Sequence, residues 1–94
     1  MAVVYILYSP SIDSFYIGSC LDLKIRLQDH IDGKYKGSYT YRAKGWKVFL
    51  SIKDLRYEQA RRIEAHIKRM KSRKYIKDLA RYPEMVCNLK DKYI

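Results

Sequence analysis

Val3-Val4-Tyr5-Ile6-Leu7-Tyr8, then Ser9-Pro10-Ser11-Ile12-Asp13-Ser14, then Phe15-Tyr16-Ile17-Gly18-Ser19 is the stretch whose reading decides the fold. The first six residues are apolar, β-branched or aromatic without a break, as in a strand buried on both faces. The middle six carry proline, aspartate and serine turn chemistry. The last five return as a second strand, so the segment predicts a hairpin whose first strand is central.

Working outward, Asp22 caps a helix in which Leu23, Leu27 and Ile31 recur at one-turn spacing, and Gly33 ends it. Lys34 to Gly45 is a basic, tyrosine-containing loop. Trp46-Lys47-Val48-Phe49-Leu50-Ser51-Ile52 has the composition of a third strand. Asp54 is placed to cap the next helix, whose apolar stripe is Ala60, Ile63, Ile67 and Met70. A last short helix turns Tyr75, Ile76 and Leu79 inward and ends at Pro83. The predicted class is α/β of the α+β kind, in the order β-β-α-β-α-α. It is a small three-stranded antiparallel or mixed sheet flanked by helices, with residues 1–94 as a single domain.

Composition narrows the function. Twenty Lys and Arg against ten Asp and Glu leave a formal charge of +10 on a 94-residue chain. A field of that sign and density attracts polyanions, nucleic acid first. The cations are spread through a foldable sequence rather than confined to one helix face, which argues against a membrane-surface binder. No run approaches the ~18 apolar residues of a membrane span. The N-terminal residues lack the pattern of a secretory signal, so a soluble, cytoplasmic protein is expected. Cys20 and Cys87 form no metal-ligand pattern with His30 and His66, and two free, packed thiols are expected.

Several polar residues fall where a fold alone does not ask for them. Tyr5 and Tyr16 lie within the two hairpin strands, on spacings that let both phenols share a sheet face, and Gly18 leaves space beside them. The alternative is a pair of core tyrosines beside a glycine bulge. Arg26 and His30 are one turn apart on the first helix; two surface residues of a basic protein would look the same. Glu64 borders the Ala60, Ile63 and Ile67 stripe, where an unpaired carboxylate is costly. It needs a metal, a donor or a cation, and a neighbouring arginine or Lys68 would satisfy it.

Taken together, these segments resemble the GIY-YIG nuclease superfamily. Val3-Val4-Tyr5 and Phe15-Tyr16-Ile17-Gly18 resemble its paired tyrosine motifs. Leu23-Lys24-Ile25-Arg26-Leu27-Gln28-Asp29-His30 is similar to its arginine helix, and Glu58 to Lys68 to the helix bearing its glutamate. The closest likeness is to short stand-alone members related to the nuclease module of bacterial excision-repair enzymes. Four motifs in order, from Val3 to about Leu79, are a specific signal. Two departures stand out. Val3 and Val4 replace Gly and Ile. Ile76 stands near the place, roughly three helical turns after the glutamate, where many members carry asparagine, and Asn88 lies farther on.

The resemblance implies a metal-dependent DNA endonuclease of repair or recombination. Glu64 would bind one Mg²⁺ or Mn²⁺ ion, a hard cation that keeps most of its shell for water and phosphate. Arg26 would hold the non-bridging phosphate oxygens. Tyr5 would help deprotonate the attacking water, if nearby cations lower its ordinary pKa of ~10. Tyr16 would hold water or phosphate, and His30 would act as an alternative base or donor. Lys34, Tyr35, Lys36, Tyr39, Tyr41, Arg42 and Lys44 form the expected contact surface for duplex or branched DNA. Recognition would rest on backbone and shape, with a protein partner to add specificity. The rival is a non-catalytic nucleic-acid binding module of the same fold. Glu64 separates the two, since a pure binder gains nothing from an anion among its cations.

Overall fold

The computed structural model describes residues 1–31 and 45–94, with only the backbone of His30 and Ile31. Its elements are β1 (Ala2–Ser9), β2 (Ser14–Cys20), α1 (Leu23–Ile31), β3 (Lys47–Leu55), α2 (Tyr57–Met70), α3 (Arg73–Arg81) and α4 (Pro83–Lys92). The strands form an antiparallel sheet in the order β2-β1-β3. The apolar run is therefore the central strand, and the hairpin closes with Ser9 opposite Ser14.

Alternation along β1 sends successive side chains to opposite faces. Val4 and Ile6 turn to one face, where Ile52, Ala60, Ile63, Ile67, Ile76, Leu79 and Leu89 complete the main core. Tyr5 and Leu7 turn to the other, with Cys20 and Trp46, against Leu23 and Leu27 of α1. The helices thus form layers on both sides of the sheet. Ile63 and Ile67 are fully buried, and truncating either to alanine should cost ~2–5 kcal/mol.

Three local expectations are corrected. Asp54 does not cap α2. It is the penultimate residue of β3, with a left-handed φ of 60°, and the N-cap is Arg56, whose amide donates to Gln59 Oε1 at 3.1 Å. The helix with Tyr75, Ile76 and Leu79 does end just before Pro83, but it is not the last: Pro83 also occupies the first turn of a further helix, α4, where a missing amide hydrogen costs nothing. The order is therefore β-β-α-β-α-α-α. Buried Gln59 ties this extra helix down by donating to the Lys90 carbonyl at 3.0 Å. Cys20 is packed as expected, but Cys87 is exposed. Among the described residues no helix is long and apolar enough to cross a membrane.

Candidate active site

Tyr5 sits directly opposite Gly18 in the hairpin register. Its ring lies so closely over that position that a Cβ on Gly18 would fall 2.5 Å from the Tyr5 hydroxyl and 2.6 Å from Cζ. Gly18 has no left-handed φ to accommodate. The glycine is required by the tyrosine, not by the backbone, which explains why the two occur together. Tyr16 projects from the same face two positions earlier, its ring centroid 6.3 Å from that of Tyr5.

Helix α1 begins where Asp22 accepts from the Ile25 amide at 3.2 Å. That start places Arg26 over the same sheet face, where its guanidinium donates to the Tyr5 hydroxyl. Burial nevertheless pushes the Tyr5 phenol well above the ordinary range, reinforced by Tyr16, and Arg26 offsets only part of this. Among the side chains around Tyr5, burial outweighs Arg26, so these neighbours alone do not bring its pKa down. Burial likewise raises the Cys20 thiol, against a smaller opposing effect of Arg26, so Cys20 is no thiolate nucleophile.

Glu64 approaches from the other side. Ser19 follows Gly18 and so faces α2, where its hydroxyl donates to Glu64 Oε1 at 2.5 Å. Lys68, one helical turn on, lies 2.7 Å from Glu64 Oε2. The carboxylate is largely buried, with 18% of its side chain exposed, whereas the lysine is 53% exposed. Lys68 is therefore a labile partner, able to leave for solvent when another cation takes its place.

Arg26, the partner of Tyr5, and Ser19, the partner of Glu64, both reach the outer edge of β2, whereas Tyr5 and Glu64 themselves do not line it. An open cleft of about 360 Å³ there takes in Ser19 and Cys20, which face opposite ways, together with Arg26 of α1 and Tyr57 and Arg61 of α2. Arg61 lies one turn before Glu64 and donates to the Tyr57 hydroxyl at 3.5 Å. Two guanidinium groups thus face one recess, with Glu64 behind Ser19. Ser19, Tyr57 and Arg61 were not picked out by sequence reasoning; for Arg61 the signal was its i−3 spacing from Glu64.

Among the described residues no three His, Cys, Asp or Glu side chains cluster as a metal cage. A single buried carboxylate beside a displaceable lysine does not fit a closed zinc site. It fits an ion such as Mg²⁺, which is held by one or two carboxylates plus water and phosphate. The His30 side chain and the expected contact surface, Lys34, Tyr35, Lys36, Tyr39, Tyr41, Arg42 and Lys44, lie outside the described residues. Ile76 is buried in the main core and Asn88 is exposed on α4; neither lines the cleft.

The family model for the GIY-YIG catalytic domain matches residues 1–76, a span containing every side chain of this cleft. No curated protein and no solved structure matches the chain.

Proposed function

This chain belongs to the GIY-YIG nuclease family, and from that premise we propose that it is a divalent-metal-dependent endonuclease acting on the DNA backbone. Family membership makes it a nuclease-type enzyme with DNA as substrate. The finer reading is that residues 1–94 act as one nuclease domain, in cytoplasmic DNA repair or recombination, on substrates chosen by structure and backbone. The observation that carries it is the convergence at the β2 edge. Arg26, hydrogen-bonded to Tyr5, and Ser19, hydrogen-bonded to Glu64, line one cleft.

In this reading a DNA phosphate enters the cleft between Arg26 and Arg61. Both are permanently charged, and the planar fork of Arg26 matches two non-bridging oxygens. Arg26 engages the Tyr5 oxygen, so the phenol holds the guanidinium over the sheet face. Tyr5 is buried behind Arg26 and outside the cleft lining, so substrate would have to shift Arg26 for the phenol to contact the nucleophile directly, and Tyr16 packs beside it. Glu64 would hold the metal, Mg²⁺ or Mn²⁺, with Lys68 released to solvent and Ser19 fixing the carboxylate. When bound there, the ion supplies Lewis-acid stabilisation of charge on the phosphate. His30, one turn after Arg26, is the further candidate base or donor. The basic segment Lys34–Lys44 would supply backbone contacts.

The test is incubation of the purified chain with supercoiled, flap and branched DNA in Mg²⁺, Mn²⁺ or EDTA. Metal-dependent nicking or cutting is expected. Tight DNA binding with no cleavage in either metal would overturn the catalytic reading in favour of a binding module.

A further inference from the structure

Phe15, Ile17 and Ser19 alternate along β2 and share the face turned to α2. Ser19 engages Glu64, whereas Phe15 and Ile17 cover the core only partly. Above them opens a second recess, of about 220 Å³, with Ile67 of α2 and Ile76 of α3 completing an apolar floor. Its rim carries Lys68, Lys71 and Arg73 against one acid, Asp13. Arg73 is paired with Asp13 at 2.8 Å and Lys68 with Glu64 at 2.7 Å, so Lys71 gives the rim its excess positive charge. Lys68 belongs to both places: it lines this recess and contacts Glu64 at 2.7 Å.

We propose that this recess receives one unpaired nucleobase of the DNA substrate, while Lys68 and Lys71 hold a phosphate of the same strand. The enzyme would then favour DNA with an unpaired base beside the cut. The proposal rests on the nuclease reading and names the substrate class for that site. Three features select a nucleobase. The Arg73 guanidinium lies over the Phe15 ring, 5.4 Å from its centroid, and is half-exposed, so an entering base would stack on this ring-backed arginine plane, a surface on which extruded bases stack. The volume is below the ~300–1,000 Å³ of ordinary small-molecule clefts, which suits one planar ring system. The cationic rim, continuous with the Glu64 site, suits the phosphate attached to that base. A base in an intact duplex cannot reach such a floor, and an unpaired one is the least costly to extrude.

The test uses a duplex with a single-nucleotide bulge, binding being measured in EDTA so that nothing is cut. With 2-aminopurine as the bulged base, the wild-type chain should change its fluorescence on binding. A bulge carrying a base should bind roughly tenfold tighter than one carrying an abasic residue. Ile17→Phe fills the recess and should abolish both effects while keeping affinity for fully paired duplex. Lys71→Gly suits the left-handed φ of 46° at that position, so it removes the cation without strain and should weaken binding of the bulged substrate. If Ile17→Phe fails to fold, Lys71→Gly and the abasic comparison still decide. Equal affinity for base and abasic bulges, or a fluorescence change that survives Ile17→Phe, would overturn the proposal. Because cutting is excluded from the readout, neither result depends on whether the nuclease reading holds.

Discussion

Gly18→Ala isolates the contact on which the tyrosine pair rests. The added methyl would lie 2.5, 2.6 and 3.1 Å from Tyr5 Oη, Cζ and Cε2, all far inside carbon contact distance. Tyr5 is 1% exposed and packs with Leu7, Cys20 and Trp46, so its ring has no solvent to swing into. Overpacking of this kind costs ~1–3 kcal/mol. For a domain of this size ~2 kcal/mol lowers Tm by about 10 °C. The control is the same change in a Tyr5→Leu background, where the atoms that clash are gone. There the extra methyl should be neutral, or stabilising by ~0.5 kcal/mol, because glycine in a strand is entropically unfavourable. Urea denaturation of the wild type, both single variants and the double variant gives the coupling energy, expected at ~2 kcal/mol. If Gly18→Ala costs the same in both backgrounds, the glycine serves something other than Tyr5, and the steric account fails.

Other outcomes follow from the same geometry. Arg26→Lys keeps a charge but loses the planar fork, so cleavage should fall ~100-fold with little change in DNA affinity; equal losses in both would make Arg26 a plain phosphate contact. DNA affinity should fall steeply with salt, as the +10 charge implies counterion release, and titration at two ionic strengths checks it. His66 lies between the hydroxyls of Tyr93 at 2.8 Å and Tyr75 at 3.1 Å, and its pKa is lowered, first by burial and then by Lys92 and Arg69. The folded state therefore binds fewer protons than the unfolded one. Its contribution is full above about pH 6.5 and is lost as pH falls through the lower folded value. Tm measured from pH 7.5 to 5 should drop, and less so in His66→Gln; parallel curves would remove His66 as the cause.

The hairpin, its central strand and the tyrosine pair were legible because strand periodicity alone fixes which side chains share a face. Glu64 was legible because a carboxylate at the border of an apolar stripe demands a partner, and Lys68 proved to be among its partners. Other features were not legible. Pro83 follows the end of α3 and also starts α4, and the second role shows only once α4 is docked through Gln59. Asp54 has the chemistry of a cap but takes a left-handed turn instead. Ser19 looks like a loop-end serine until the sheet edge and α2 are set beside each other. The ionisation of Tyr5 depended on whether burial or Arg26 prevailed, and spacing carries no information about that balance.

The central claim is that Glu64 is the sole protein carboxylate serving the metal at the β2 edge. Glu64→Gln keeps the shape and an oxygen acceptor for Ser19, and it loses an ion pair whose lysine end is half-exposed to solvent, a pair worth on the order of 1 kcal/mol. The decisive measurement is single-turnover cleavage by this variant across a Mg²⁺ and Mn²⁺ titration, with DNA affinity measured alongside. The account predicts a folded protein that binds DNA as well as the wild type, or more tightly, and does not cut at any metal concentration. Cutting at near wild-type rate in Mg²⁺ would contradict it and leave Glu64 a structural acid.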